Sequence, residues 1–299
     1  MFKIPVVLFI YKRIETTKQV FEIICKIKPL KIYLIADGPK SEDLFEACKD
    51  VREYIENNIS WNCNLVRIYS EQNLGLAKRV SSGLSKVFAH EESTIILEDD
   101  TLPDPSFFDF CEELLSHYAE DHRVGHISGC NFYPEIFNSN ESYAFSSFIN
   151  VWGWATWKRS WKNFDLSMRS WRDDNKDLLL NKWCVSQRQK KGLRNMFDLH
   201  CENDDPWAWS YQWIYSCWKN NALSIIPREN LVSNLGIGPD ATNTTSSVTL
   251  EKFPKTTQSM DFPLLHPDID RNQNFDKRYL KASKTPFTRI LKNIVKGWL

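Results

Sequence analysis

Thr94-Ile95-Ile96-Leu97-Glu98-Asp99-Asp100 is the stretch from which the fold can be read. Four residues suited to a buried strand run directly into three carboxylates. A short apolar run of this kind reads as a strand of a parallel sheet covered on both faces. Unpaired charge is costly to bury, so the acids are expected at the carboxyl end of the strand and outside the core. Open α/β sheets bind their ligands at that end. Clustered hard oxygens there suit Mg²⁺ or Mn²⁺, and a diphosphate would complete the ion's shell. The competing reading is a plain acidic loop before a helix. Thr101-Leu102-Pro103-Asp104-Pro105-Ser106-Phe107-Phe108 reads as a turn and a helix start, which Asp104 or Ser106 could cap.

Upstream, Pro5 to Ile10 reads as a first strand, followed by Tyr11-Lys12-Arg13 and a helix over about Glu15 to Lys28. Lys31 to Ile35 reads as a second strand ending in Ala36-Asp37-Gly38-Pro39. An acid before Gly-Pro can be a turn residue or can accept hydrogen bonds from a base or ribose. A polar helix over Ser41 to Glu56, a strand over Leu65 to Tyr69 and a helix opened by Asn73-Leu74-Gly75-Leu76 complete the run. Phe107 to Tyr118 reads as a helix and Val124 to Ser128 as a strand. Strands alternating with helices predict an α/β, Rossmann-like, mostly parallel sheet with flanking helices. No GxGxxG and no GxxxxGK[ST] is present, so neither a dinucleotide fingerprint nor a P-loop is indicated.

The 299 residues suffice for one large domain with appendages. Lys+Arg and Asp+Glu are both 38, which gives no sign of nucleic-acid binding. None of the 8 cysteines forms a CxxC pair, so reduced core thiols are expected. The apolar run after Met1 is too short for a signal segment or a membrane span, and a cytoplasmic location is expected.

Past residue 129 the composition changes. Ten of the 12 tryptophans lie between Trp152 and Trp218. Many are expected in the core, but flat faces with N–H donors also suit sugar rings, and at least two are expected to line an acceptor cleft. Ala208 to Lys219 reads as a helix and Leu223 to Ile226 as a strand. Asn230 to Ser247 reads as a flap or a connection. Leu250 to Leu280 shows little periodicity. Within a predicted helix over 286–299, Phe287, Ile290, Leu291, Ile294, Val295 and Trp298 form one apolar stripe flanked by Arg289, Lys292 and Lys296. A basic amphipathic helix of this kind suits an anionic membrane surface, with a peripheral location at the inner face of the cell membrane, or the stripe could dock on the catalytic domain or form a dimer contact.

Several blocks, taken in order, resemble one family. They are Val6–Ile10 with Arg13; Ile35-Ala36-Asp37-Gly38; Asn73-Leu74-Gly75 with Lys78-Arg79-Val80; Ile96–Asp100; Phe107-Phe108; His126-Ile127-Ser128-Gly129; Gly153-Trp154-Ala155; Trp209-Ser210-Tyr211-Gln212-Trp213; and Asn234-Leu235-Gly236-Ile237-Gly238. The chain resembles a GT-A fold glycosyltransferase of the bacterial family-2-like kind. It is more distantly similar to the inverting N-acetylglucosaminyltransferase that initiates branching of N-glycans. The resemblance implies a GT-A domain over 1–266, with a nucleotide-sugar half (1–129), an acceptor half (130–266) and an extension over 267–299. It implies that Asp100 ligates Mn²⁺ or Mg²⁺, and that Glu98 and Asp99 hold ribose, base-side groups or waters. It also implies that Arg13 and Asp37 contact the nucleotide and that Lys78 or Arg79 lies near the diphosphate.

One departure matters. Where the family carries a base-forming Asp after the Trp, this chain has Ser210, a poor base. Asp205 or Asp204, just upstream, could take the proton of the acceptor hydroxyl, or could merely cap the following helix. The flap Asp240-Ala241-Thr242 leads to Asn243 where a histidine is common, leaving His266 as the remaining candidate for a histidine ligand. The implied activity is transfer of a sugar from a nucleotide-diphosphate donor, by resemblance a UDP-sugar, to a hydroxyl of a cell-surface glycan or lipid-linked glycan acceptor. The alternatives are a non-catalytic nucleotide-sugar or carbohydrate binder and a metal-dependent phosphohydrolase.

Overall fold

The computed structural model describes residues 1–236 and 256–283. The first strands are β1 (Val6–Ile10), β2 (Lys31–Ala36), β3 (Asn64–Tyr69) and β4 (Ser93–Glu98). Val6 to Ile10 and Thr94 to Glu98 are buried residue after residue, as expected of strands covered on both faces. Between them lie α1 (Ile14–Ile27), α2 (Phe45–Asn58) and α3 (Leu76–Phe88). Each helix buries one stripe, for example Val20, Phe21 and Ile24 in α1.

The chain continues through β5 (Thr101–Pro103), α4 (Ser106–His117), β6 (Val124–Ser128), β7 (Tyr143–Ser146), β8 (Trp154–Trp157) and α5 (Lys158–Trp161). Then come α6 (Lys176–Trp183), α7 (Gln187–Glu202), α8 (Ser210–Lys219), β9 (Leu223–Pro227), β10 (Val232–Asn234) and α9 (Gln273–Ala282). Eight strands form one sheet in the order β3-β2-β1-β4-β8-β6-β9-β7. β1, β2, β3, β4, β6 and β9 run one way, and β8 and β7 run against them. The result is an α/β, Rossmann-like, mostly parallel sheet.

Strand order sets the position of the site. From β1 the chain passes to β2 and β3 on one side, then crosses back to β4 on the other side. The carboxyl ends of β1 and β4 therefore flank the point where the winding reverses, the place where sheets of this kind bind ligands. Tyr11-Lys12-Arg13 leaves one of these strands and Glu98-Asp99-Asp100 ends the other.

Several sequence expectations change. Thr101–Pro103, read as a turn, is a strand that pairs antiparallel with β10 in a separate two-stranded sheet. Of the ten clustered tryptophans, nine are buried and only Trp207 is partly exposed. They are core residues rather than the walls of a cleft: Trp154 stacks on Trp209 at 5.5 Å, and Trp183 lies nearly parallel to Trp218 at 5.9 Å. Rings of this size favour complete removal from water. The stretch over Leu250 to Leu280 contains α9, whose Phe275 and Tyr279 pack inward. Buried Asp276 of α9 accepts from Ser147 Oγ at 2.8 Å and from Arg271 Nε at 2.7 Å, so residues 273–282 are part of the domain. The eight cysteines are unpaired, and Cys48, Cys111, Cys130, Cys201 and Cys217 are buried while Cys25, Cys63 and Cys184 are partly exposed. Among the described residues no helix is long and apolar enough to cross a membrane. The amphipathic stretch 286–299 and residues 237–247 of the stretch read as a flap or a connection lie outside the described residues.

Candidate active site

The acids at the end of β4 are covered rather than free. Glu98, Asp99 and Asp100 are 7%, 3% and 2% exposed, which corrects the expectation that they stay outside the protein interior. Two features make this burial tolerable. Thr101 Oγ1 accepts from the Glu98 amide at 2.8 Å and donates to the Glu98 carbonyl at 3.1 Å, closing the turn between β4 and β5. The segment after β10 then folds over the turn, with the Leu235 amide donating to the Asp100 carbonyl at 2.7 Å.

Charge is balanced from the neighbouring strand end. Arg13 Nη1 donates to Asp100 Oδ2 at 2.6 Å and lies 3.9 Å from Asp99 Oδ1. The Tyr11 amide donates to Asp99 Oδ2 at 3.0 Å. One guanidinium thus serves two buried carboxylates. Burial pushes both acids above the usual carboxylate range; repulsion from Asp100 pushes Asp99 further, and Arg13 opposes the rise in both. Asp100 Oδ1 is buried and has no hydrogen-bond partner among the described residues.

Gly236 lies against this carboxylate. A Cβ there would overlap Asp100 Oδ2, so only glycine permits the approach. The sequence blocks Ile96–Asp100 and Asn234-Leu235-Gly236 therefore meet in space, as do Arg13 and the acids.

Asp37 and the Asn73-Leu74-Gly75 block also meet, through a locked loop. Asp37 Oδ1 accepts from the Gly38 and Leu74 amides at 3.0 and 2.9 Å, and Oδ2 accepts from the Gly75 amide at 2.9 Å. Asn73 Nδ2 donates to the Gly38 carbonyl at 2.7 Å, and a side chain at Gly38 would run into the backbone of Glu71 and Gln72. Burial raises the Asp37 carboxyl and the three amides oppose that rise. In this state the Asp37 carboxylate serves the turn that leads into α3.

Lys78 and Arg79, on the first turn of α3, differ sharply. Lys78 is half exposed, and its Nζ lies 2.6 Å from Asp205 Oδ1. Arg79 is 3% exposed, and its Nε and Nη2 have no partner among the described residues. Burial pushes its guanidinium down from the usual range while nearby Asp37 raises it.

The acceptor side is less complete. Ser210 is buried, and its Oγ has no partner among the described residues, so it offers no exposed proton acceptor. Asp204 and Asp205 are exposed, and neither caps α8: its cap residue, Trp209, has no side-chain capping bond. His266 is spoken for elsewhere. Its Nδ1 meets the Tyr143 hydroxyl at 2.8 Å, its Nε2 meets Glu113 at 3.2 Å, and its ring stacks on His117 at 4.1 Å. That removes it as a ligand partner of Asp100. His126 was quoted only as part of a block. It proves to be a buried imidazole kept neutral, with burial pushing it down to about 3, between Trp213 Nε1 and the Asn150 carbonyl.

A divalent ion fits this donor set in part. Asp100 Oδ1 is a hard oxygen with no partner among the described residues, while Oδ2 is already taken by Arg13. Among the described residues no group of three His, Cys, Asp or Glu side chains could hold an ion. An ion here would therefore need most of its ligands from a bound molecule, as Mg²⁺-type ions take them from phosphates.

No protein-family model matches the chain, and no curated protein matches it. Solved structures show distant likenesses. HddC from Yersinia pseudotuberculosis is 9% identical, with 53% of this chain covering 80% of that one at a TM-score of 0.32. A UDP-glucose pyrophosphorylase complexed with UDP-glucose is 11% identical, with 54% covering 78% at 0.31. The 4-diphosphocytidyl-2C-methyl-D-erythritol synthase of Anaerococcus prevotii is 10% identical, with 66% covering 84% at 0.33. Likenesses this distant assign the chain neither a family nor an activity.

Proposed function

We propose that the protein is a metal-dependent inverting glycosyltransferase of GT-A type that uses a nucleotide-diphosphate sugar, a UDP-sugar by resemblance. The observation that carries the reading is the buried Asp100 Oδ1, without a partner among the described residues, at the carboxyl ends of β1 and β4, with Arg13 as the counter-charge for two acids. A bound Mn²⁺ or Mg²⁺ would supply Lewis-acid stabilisation of the charge that builds on the leaving diphosphate.

The chain's own residues would do the rest. Asp100 would hold the ion, and Asp99, fixed by the Tyr11 amide, would keep Arg13 in place beside it. Lys78 and Arg79 would face the diphosphate at the N-terminus of α3, where anions are favoured. Asp37 and Glu98 would shape the nucleoside side of the site. On the acceptor side Asp205, with Asp204 as the fallback, would take the proton of the attacking hydroxyl. The acceptor would be a cell-surface glycan or its lipid-linked precursor, and the basic stretch 286–299 would bring the enzyme to the inner membrane face that holds it.

The test is incubation with a panel of nucleotide sugars with and without Mn²⁺, reading thermal shift and donor hydrolysis. A Mn²⁺-dependent shift with one nucleotide class supports the reading, and no shift with any of them rejects it. Ser210 gives a second reading its basis, because a buried hydroxyl where an acid is expected suits a nucleotide-sugar binder without turnover. Binding without donor consumption in the presence of membrane glycolipids would favour that binder. For the membrane stretch, co-sedimentation with anionic liposomes should be lost in a chain ending at Thr285; equal binding by both chains rejects it.

A further inference from the structure

Lys78 Nζ and Asp205 Oδ1 lie 2.6 Å apart, joining the first turn of α3 to the loop between α7 and α8. That turn is an anion-favouring place. The Leu74 and Gly75 amides that precede α3 already donate to the Asp37 carboxylate, so an incoming anion would meet the cations of the turn and not those amides. Beside Lys78 in sequence, buried Arg79 has two donor nitrogens with no partner among the described residues. Buried donors left without a partner are costly, and Asp37 is the carboxylate that lies near this guanidinium. Asp205 supplies one carboxylate to this place. Its position is set by a tight turn, with its amide donating to Asn203 Oδ1 at 2.9 Å, and Lys78 is its one ion-pair partner among the described residues.

We infer that Asp205 is a tethered anion that holds Lys78 when the nucleotide is absent and is displaced by the diphosphate. Donor binding and release of the Asp205 carboxylate are then one event. This rests on the nucleotide reading above. Two consequences follow. The internal carboxylate competes with the phosphate and lowers donor affinity by the worth of one exposed ion pair, about threefold to fivefold. Before displacement the carboxylate is held on the ammonium and is not presented to an acceptor hydroxyl. After displacement it is free to take a proton from an acceptor hydroxyl.

The experiment is titration calorimetry of UDP with Mn²⁺ against the full chain, Asp205→Asn, Lys78→Met, the double variant and Asp204→Asn, with circular dichroism confirming that each is folded. Asp205→Asn should bind about threefold to fivefold tighter, the gain should vanish in the Lys78→Met background, and Asp204→Asn should show none of it. Unchanged or weaker binding by Asp205→Asn, with wild type binding UDP, overturns the inference and leaves the nucleotide site standing. An equal gain from Asp204→Asn, or a gain that survives Lys78→Met, also overturns it, since bulk charge would then be the cause. Absence of UDP binding by every chain overturns the nucleotide reading itself and the inference with it.

Discussion

Arg13 Nη1 sits 2.6 Å from Asp100 Oδ2 and 3.9 Å from Asp99 Oδ1, one cation from beyond the end of β1 for two buried carboxylates at the end of neighbouring β4. An arrangement short of positive charge stores a preference for another cation. It also costs the ligand-free protein stability, because like charges crowd where water is excluded.

Asp100→Asn should abolish Mn²⁺-dependent nucleotide binding and transfer. Near-normal Mn²⁺-dependent activity in the variant would show that Asp100 is not the ligand.

The same variant should be more stable than wild type at neutral pH in the absence of ligand. The carboxyls of Asp99 and Asp100 are raised in the folded protein, so the fold binds protons there more tightly than the unfolded chain does. Their contribution to stability is full below the ordinary carboxylate range, about pH 4, and is lost as pH rises through the raised folded values. The gain in melting temperature from Asp100→Asn should thus be a few degrees at about pH 7.5 and shrink toward zero near pH 4. Melting curves across that window check the sign, and a gain larger in acid than at neutrality would contradict it.

Arg13→Ala removes the counter-charge and leaves both acids. Breaking one partner out of a buried ion group costs about 2–4 kcal/mol, here a fall in melting temperature of roughly 4–10 °C. The loss should be partly recovered by adding Mn²⁺, which thermal shift reads directly.

Gly236→Ala is expected to damage the site more than the fold. The new methyl would push against the Asp100 carboxylate, so nucleotide-dependent Mn²⁺ binding should fall at least tenfold, while the urea midpoint moves little. A midpoint loss as large as that of Arg13→Ala would mean that the glycine is purely structural.

Asp205→Asn should lower turnover by about 10²-fold, the scale of a lost general base, without weakening donor binding. Asp204→Asn is the control with the same change of charge. Turnover by both variants at the wild-type level would place the base elsewhere.

The chain's own order of residues determined the α/β alternation. Runs such as Val6–Ile10 and Thr94–Leu97 are apolar without alternation, a pattern that suits strands covered on both faces. It also determined that acids follow β4 and that Asn73-Leu74-Gly75 opens α3, since strand ends and helix starts are local events. Helices α6 and α7 and the late α9 were not legible, because tertiary contacts decide them: α9 is polar except for a stripe that meets β7 and the turn at residues 134–136. The fate of the tryptophans was also a tertiary matter, because composition cannot say whether a ring faces a neighbour or a cleft. Only the folded chain decided that Asp99 and Asp100 are buried against Arg13, that Asp37 serves a loop, that His266 belongs to Glu113 and Tyr143, and that Asp205 reaches Lys78. Each of these is a pairing between residues far apart in sequence, and such pairings form only once the strand order brings their elements to one end of the sheet.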